Sequence, residues 1–410
     1  MLIHWLWYAQ LGDMSRREKA ELLLHFEDAE DIYNADAQML SQIEGLTEAG
    51  IELLMNKDLT EAEKILTQCQ KKQIELLTFA DEQYPQRLKA IDDPPLVLYY
   101  RGQLPDFDAV PAIGVVGTRK ATPFGLEMAQ KMGYQIAQCG GLVISGGAAG
   151  IDTCALQGAL AAGKYAVAVF GCGIDVIYPP SNRKLFEDIA RHGCLISEYP
   201  PETPPYKWNF PVRNRILSGL SCGVLVVEAP ERSGALITAE RARQQGRDVF
   251  VVTGNAGAAS CSGSNALLRK GGIYAECGWD VLSEYEYQFP DVIRRDQQEL
   301  PQGEMEKIVA QEVQRPDLPR KKAVSKQKSN KKDVDKKPLS TYSDSSKASC
   351  SLSEIEQSVF DAVRGDCAVD DVVAATGLNA GTVLATLTLL ELKGLVTGLP
   401  GRRVCRNDGR

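Results

Sequence analysis

The residues with the clearest chemical meaning form a short turn, Gly117-Thr118-Arg119, directly after a run of branched apolar residues. Glycine lets the backbone turn sharply near a ligand, and the Arg119 guanidinium offers a planar fork of donors that matches a phosphate. Pro123 is suited to begin the following helix, whose amino end would add its partial positive charge. The pattern predicts an anion-binding turn.

A second glycine turn, Ser145-Gly146-Gly147-Ala148-Ala149-Gly150, follows another apolar run. Successive backbone N–H groups in such a turn can cradle a phosphate. A single glycine turn is weak evidence, because it also serves to pack a helix against a strand. Two turns of this kind on adjacent strands favour a phosphate ligand more strongly than either turn alone.

Further along the chain, the segment Tyr206–Arg215 interleaves three aromatic rings with the cations Lys207, Arg213 and Arg215. Rings can stack on bases of any identity while cations contact the backbone of a nucleic acid. In the alternative interpretation, the rings of Trp208 and Phe210 belong to the core.

In that case the arginines would pair with acids such as Glu198 or Glu228. Taken alone, the segment does not decide between this interpretation and contact with nucleic acid. Its position after a strand, beside the glycine turns, favours contact with nucleic acid.

The elements that would position these turns alternate regularly between residues 76 and 290. The predicted strands are Ala112–Val116, Leu142–Ser145, Ala166–Phe170, Leu195–Glu198, Gly223–Glu228 and Asp248–Thr253. The predicted helices lie near 123–138, 151–162, 181–191, 212–220 and 235–246. Continuous apolar strands separated by helices indicate an α/β fold, a Rossmann-like, doubly wound and mostly parallel sheet that binds ligands beyond the carboxyl ends of its strands.

Three further segments flank or follow this sheet. Residues 1–75 show helical spacing and predict a small helical domain, in which residues 41–47 resemble one hairpin of a sterile-alpha-motif or helix-hairpin-helix unit. Residues 291–350 are poor in large apolar groups and predict a flexible basic linker, with ten basic and three acidic residues between 315 and 337. Residues 351–410 predict three helices and a strand hairpin, the pattern of a winged helix.

Composition narrows the functional classes. The net charge is -8, with 44% hydrophobic and 24% charged residues, which is typical of a globular protein. The chain has no apolar run near the ~20 residues of a membrane span and no export signal, so we expect a cytoplasmic protein. The eleven cysteines occur singly, without C-x-x-C spacing, which predicts reduced thiols and no metal site.

No cofactor is expected either. The first glycine of a dinucleotide-binding motif is replaced by Ser145 in one candidate, and in Gly171-Cys172-Gly173 the third glycine is replaced by Val176. A P-loop motif is absent from the sequence.

Taken together, the ordered segments resemble the DNA-processing protein A (DprA/Smf) family of bacterial single-strand DNA-binding proteins. The resemblance extends over nearly the whole chain and rests on VVGTRKATPFG, SGGAAGID, AVFGCGIDVIYPPSNRKL, LISEYPPETPP, NFPVRNRILSGLS, VLVVEAPERSGALITAERA and GRDVFVVTGN. It implies a helical domain, a Rossmann-like core and a winged-helix domain in a cytoplasmic homodimer. It also implies binding of single-stranded DNA during natural transformation, loading of RecA onto that DNA and displacement of single-strand-binding protein.

The resemblance places a basic DNA pocket on Arg119 and on Lys207 with Phe210. The chain departs from the family at Ala149, where relatives often carry a basic residue, and Arg183 and Lys184 are candidates to compensate. The complete set of predicted DNA contacts is Gly117, Thr118, Arg119, Ser145, Gly146, Gly147, Arg183, Lys184, Lys207, Phe210, Arg213, Asn214 and Arg215.

Two other functions remain open from the sequence. The sheet type also occurs in nucleoside-monophosphate phosphoribohydrolases, whose catalytic Glu follows a glycine turn. Here residues 231–240 occupy a comparable junction between a strand and a helix, but they lack the paired glycines and have a different spacing. Glu198 and Glu228 would be the acid and base of such an enzyme. The other alternative is a regulator that reads duplex DNA through its winged helix, although the predicted recognition helix 380–393 lacks Arg, Asn and Gln, the usual readers of base edges.

Overall fold

The structure is a computed structural model. It describes residues 2–12, 14–295 and, between 354 and 407, all except 379–381, 384, 385, 388, 389, 392–394 and 400–402. The chain divides near residue 321 into two compact units. The predicted linker 291–350 lies outside the described residues from 296 onward, and so does most of the predicted recognition helix.

The first unit begins with six helices. They are α1 (Leu2–Gln10), α2 (Arg16–His25), α3 (Ala29–Asn34), α4 (Ala37–Leu40), α5 (Glu48–Met55) and α6 (Thr60–Lys72). Ser15 and Glu18 form a capping box at the start of α2, and the Glu18 carboxylate also accepts bonds from Thr47 N (3.1 Å) and Thr47 Oγ1 (2.7 Å). A side chain of the protein itself therefore occupies the amino end of α5, the end at which the hairpin motif 41–47 would receive a phosphate.

Nine strands follow in a single sheet. They are β1 (Glu75–Thr78), β2 (Val97–Gly102), β3 (Ala112–Val116), β4 (Leu142–Ser145), β5 (Ala166–Phe170), β6 (Cys194–Ser197), β7 (Gly223–Val226), β8 (Asp248–Val251) and β9 (Ile273–Tyr274). Their order is β1-β2-β6-β5-β4-β3-β7-β8-β9. Strands β3 to β9 pair in parallel, and the antiparallel strands β2 and β1 extend the sheet beyond β6.

Helices cover both faces of this sheet. They are α7 (Gln86–Lys89), α8 (Pro123–Gln138), α9 (Ile151–Ala161), α10 (Arg183–His192), α11 (Asn209–Leu220), α12 (Gly234–Gln244), α13 (Ser262–Arg269) and α14 (Gly278–Leu282). Ile113 and Val115 face one core cluster, which includes α8, α9 and the aromatic residues of α1. Ala112 and Val116 face the other, which includes α11 and α12. The alternation confirms the doubly wound α/β fold.

The predicted bounds are correct at the centre of the sheet and less accurate elsewhere. Strands β3, β4 and β5 begin and end where predicted, whereas β7 and β8 each end two residues earlier. Helix α11 begins at Asn209, three residues before the prediction, because Pro211 falls in its first turn, where a missing N–H costs no hydrogen bond.

The second unit has the topology of a winged helix. It contains α15 (Glu354–Ala362), β10 (Asp366–Ala368), α16 (Val369–Thr376), β11 (Val396–Leu399) and β12 (Arg403–Arg406). Strand β12 pairs antiparallel with both β10 and β11, and Val359, Val372 and Val404 belong to its apolar core. Strand β10 is an addition to the predicted pattern.

Candidate nucleic-acid interface

The loop 117–122, which carries Arg119, joins β3 to α8 and is fixed by Glu228. Thr118 N donates to Glu228 O (2.7 Å), and the buried Glu228 carboxylate accepts from Thr122 N (3.0 Å) and Thr122 Oγ1 (2.9 Å). Thr122 in turn caps α8 by accepting from Gly125 N. The loop is thus held at both ends while the Arg119 side chain between them is exposed.

Phe210, at the start of α11, is the ring nearest to this arginine. Arg119 Cζ lies 5.5 Å from the Phe210 centroid, within the range of a cation–π contact. The Tyr178 ring also lies 5.5 Å from the Phe210 centroid. Gly171 leaves the space that Phe210 fills, since a Cβ at residue 171 would be 2.9 Å from Phe210 Cδ1. Arg119, Phe210 and Tyr178 therefore form one continuous surface of charge and rings.

Further exposed cations lie on the segments that adjoin these residues. Asn182 Nδ2 donates to Gly147 O (3.0 Å), which places the start of α10 against the glycine turn after β4. Among the described residues, no hydrogen bond or ion pair holds the side chains of Arg119, Lys120, Arg183 and Lys207. The exposed cations of the loop 117–122, the start of α10 and the segment before α11 are Arg119, Lys120, Arg183, Lys184 and Lys207.

The glycine turn itself is closely packed. Gly147 (φ +65°) and Gly150 (φ +90°) have positive φ angles that other residues rarely adopt, and a Cβ on Gly150 would lie 2.5 Å from Thr118 O. A Cβ on Gly117 would overlap the side chain of Ile151. These glycines bring the two predicted turns into direct contact, as the sequence pattern suggested.

Arg213 lies beneath this turn and does not reach the surface. It is buried, its Nη1 donates to Gly146 O (3.0 Å), and a Cβ on Gly146 would be 2.6 Å from Arg213 Nη2 and 2.7 Å from Asp152 Oδ2. Burial lowers the pKa of Arg213. Burial also raises the pKa of Asp152 to about 6, although the neighbouring Arg213 charge acts to lower it. Arg213 was predicted to contact a phosphate, and in the structure it supports the glycine turn from the interior instead.

Three other predicted contacts face the interior wholly or in part. Ser145 is buried and donates to Val115 O (2.6 Å). Arg215 is buried, with Nε 2.8 Å from Asp93 Oδ2 and Nη2 2.5 Å from Glu198 Oε1. Asn214 lies between the two buried arginines on α11 and is half-buried. For Arg215, the alternative in which the arginine pairs with Glu198 is the correct one.

Three exposed rings are missing from the predicted set of contacts. Tyr178 is 38% exposed, Tyr206 44% and Trp208 67%, and the last two are stacked with centroids 4.7 Å apart. Assigning Trp208 to the core is therefore wrong. The available signal was that the polar residues Lys207 and Asn209 flank Trp208 shortly after two prolines, a composition typical of a surface loop.

Both carboxylates of the hydrolase alternative have partners within the protein. Glu198 pairs with Arg215, and Glu228 binds Thr122 in the interior. The segment 231–240 forms the start of α12, where Ser233 caps the helix through Ala235 N. Within the described part of the chain, no cluster of His, Cys, Asp or Glu has the arrangement of a metal site.

Comparison with known proteins agrees with this architecture. The sequence model of the DNA recombination-mediator protein A family matches residues 75–286, and that of the DprA winged helix domain matches residues 343–402. Protein Smf of Synechocystis sp. is 34% identical over 98% of both chains. DNA processing protein DprA of Bacillus subtilis is 38% identical over 54% of this chain and 74% of its own length.

A solved structure shows the same similarity in three dimensions. The X-ray structure of DNA processing protein A from Streptococcus pneumoniae aligns with a TM-score of 0.61 at 32% identity, covering 69% of this chain and 98% of that chain. Since one family model spans more than half of the chain and a full-length relative exceeds 30% identity, the chain belongs to the DNA recombination-mediator protein A (DprA/Smf) family.

Proposed function

We propose that this protein binds single-stranded DNA at the surface formed by Arg119, Phe210 and their neighbouring cations. The observation that carries the proposal is the contact between the exposed Arg119 guanidinium and the Phe210 ring. It places a guanidinium that can bind phosphate beside a flat aromatic ring that can stack on a base. This combination is suited to the backbone and the unpaired bases of a single strand.

The binding mode follows from the chemistry of the surface. Arg119, Lys207 and the cations at the start of α10 bind phosphates, while Phe210 or Tyr178 stacks on an unpaired base. Bases in a duplex are stacked on each other and present only their edges, so the surface discriminates against double-stranded DNA. Arg213, Ser145 and Arg215 are not part of the proposed contact set, because their polar groups are bound inside the protein.

The wider role is also a proposal. Relatives of this chain are named DNA processing protein DprA, which supports a role in the processing of DNA, and we propose that this processing serves natural transformation. We infer that the protein acts in the cytoplasm as a homodimer, protects incoming DNA, displaces single-strand-binding protein and loads RecA. No helix in the described parts of the chain has the length and apolar character needed to cross a membrane.

We further propose a binding protein and not an enzyme. The support is that Glu198 and Glu228 already have internal partners. Incubation with nucleoside monophosphates tests this point, and release of free base would contradict it.

The deciding experiment is a titration of fluorescent oligo-dT and of a matched duplex over a range of salt concentrations. We expect the protein to bind the single strand more tightly than the duplex. Arg119→Ala should weaken binding of oligo-dT and lower the slope of log K against log salt by about 0.7, because one phosphate contact is lost. Arg191→Ala is the matched control, since Arg191 is exposed at the other end of α10 and pairs with Asp188. Equal effects of both substitutions would contradict the proposed site.

The basic segment 315–337 requires a separate control, because ten clustered basic residues bind DNA by charge alone. Replacing its lysines by glutamine in the full-length chain should leave the preference for single strands intact. Loss of that preference in the substituted chain would assign binding to the linker.

A further inference from the structure

Two exposed aromatic side chains lie next to the proposed DNA surface. Tyr206 and Trp208 are stacked with an interplanar angle of 7° and a centroid distance of 4.7 Å. They are 44% and 67% exposed, whereas Trp5 and Trp7 are buried at 2% and 3%. Because the rings cover one face of each other, the large exposed fraction of Trp208 includes its outer face.

The backbone that carries these rings is anchored to the body of the protein. Glu202 adopts a positive φ of 67°, and its carboxylate binds Lys72 Nζ of α6 (2.7 Å) while its N–H donates to Asp175 (2.8 Å). Closer to the rings, Tyr206 N donates to Pro204 O (2.8 Å) and Asn209 N donates to Tyr206 O (3.0 Å). The ring pair is therefore ordered before any ligand binds, which removes the entropy cost of forming it on binding.

The charges around the rings indicate which ligand they select. Lys207 lies between them in the sequence and is exposed. Phe210, two residues after Trp208, contacts Arg119. A flat apolar face between cations is suited to a flat aromatic group attached to an anionic backbone, and an unpaired nucleobase has both properties. An apolar segment of a partner protein would gain nothing from Lys207 and Arg119.

We propose that Tyr206 and Trp208 form a second base-stacking site, in which a base of the bound single strand adds a third layer on the outer face of Trp208. The site rests on the proposed function and extends it, since the same strand would pass from Arg119 and Phe210 to this pair. Lys207 binds the phosphate between the two stacked bases.

The test compares variants of the full-length protein in titrations with oligo-dT. We expect Trp208→Ala to weaken binding about tenfold, the loss of one base–ring stack, with an unchanged salt slope because no phosphate contact is lost. Lys207→Ala should instead lower the slope by about 0.7. Tyr287→Ala is the matched control, because Tyr287 is a fully exposed ring elsewhere on the chain, and it should bind like the unsubstituted protein.

Tryptophan fluorescence provides a second measurement. Stacking of a base on Trp208 should quench its emission, and Trp208→Phe, which keeps a ring for stacking, should retain most of the affinity while losing the quenching. An oligonucleotide whose sugars lack bases should bind Trp208→Ala and the unsubstituted protein equally.

The outcomes separate this site from the function on which it rests. If Arg119→Ala weakens binding but Trp208→Ala and Tyr206→Ala bind oligo-dT normally, the second stacking site is refuted and single-strand binding stands. If none of these substitutions weakens binding, both proposals fail. If Trp208→Ala loses affinity for oligo-dT tenfold and its salt slope is also lower, the stacking role is contradicted as well.

Discussion

The ammonium group of Lys72 lies 2.5 Å from Asp175 Oδ2 and 2.7 Å from Glu202 Oε1, and so joins the last turn of α6 to two loops at the carboxyl edge of the sheet. Glu202 has a left-handed backbone conformation that non-glycine residues rarely adopt. The helical segment thereby fixes the loop 199–208 that carries Tyr206 and Trp208. This relationship links the amino-terminal helices to the proposed DNA surface.

Lys72→Met should therefore affect DNA binding at a distance. Without the ammonium group, Asp175 and Glu202 repel each other and the loop loses its fixed conformation. We expect affinity for oligo-dT to fall roughly three- to tenfold, because ordering the loop then costs about 1 kcal/mol on binding. Lys64→Met on the same helix is the control, since Lys64 makes only an exposed pair with Glu61. Normal binding by Lys72→Met would show that the loop is ordered without this contact.

Arg215→Ala should destabilise the fold and leave the salt dependence of DNA binding unchanged. The substitution removes the guanidinium that bridges Asp93 and Glu198 in a largely buried site. Breaking a buried ion pair from one side costs about 3 to 5 kcal/mol, which urea unfolding at neutral pH would measure. A flatter salt slope at unchanged stability would instead place Arg215 on the DNA.

Two glycine substitutions should differ in their cost to stability, because Gly150 lies at the contact between the two turns and Gly163 does not. Gly163→Ala introduces a side chain at φ +67° with no atom within 4 Å, and we expect a loss of about 1 kcal/mol. Gly150→Ala combines a backbone of φ +90° and ψ −127°, which non-glycine residues rarely adopt, with a Cβ 2.5 Å from Thr118 O. The strain and the steric conflict together should cost about 1 to 3 kcal/mol more than Gly163→Ala.

Gly150→Ala should in addition weaken oligo-dT binding, because the displaced Thr118 moves Arg119. Gly163→Ala should bind normally. Equal losses of stability in the two variants would show that the turns can separate without cost.

Glu18→Gln should show a loss of stability that depends on pH. Hydrogen bonds from Ser15 and Thr47 lower the pKa of Glu18 from 4.5 to about 2. Since the folded pKa is below the unfolded one, the carboxylate stabilises the fold fully above about pH 4.5, and this contribution disappears as the pH falls toward 2.

We expect Glu18→Gln to be less stable than the unsubstituted protein by about 2 kcal/mol at pH 7, with a smaller difference at pH 3, measured by urea unfolding. Glu61→Gln, which alters an exposed pair, should change stability by less than about 1 kcal/mol at either pH. A difference for Glu18→Gln that stays constant with pH would contradict the assignment.

The sequence was sufficient to predict the centre of the sheet, because β3, β4 and β5 are buried on both faces and each is followed directly by glycine. It also brought together Gly117, Arg119 and Gly150, since parallel strands end at one edge. The antiparallel strands β1 and β2 were not predicted, because β2 pairs with β6, which is about a hundred residues away, and β1 pairs in turn with β2.

The direction of each side chain on α11 was the least predictable feature. Phe210, Arg213 and Arg215 lie within six residues and have the composition of a DNA-binding segment. The two arginines face inward only because Gly146 O, Asp93 and Glu198 provide acceptors there. Local composition contains no information about those acceptors, which come from three other regions of the chain.

The pairing of β1 with β2 limits how the protein can be divided. Strand β1 begins at Glu75, three residues after α6, and Arg101 of β2 donates to Lys72 O (2.9 Å). A chain trimmed to begin at residue 79 would lose this outer strand together with the six helices that precede it. The backbone of β2 would then become an open edge available to a second molecule, so such a fragment should aggregate when the intact protein does not.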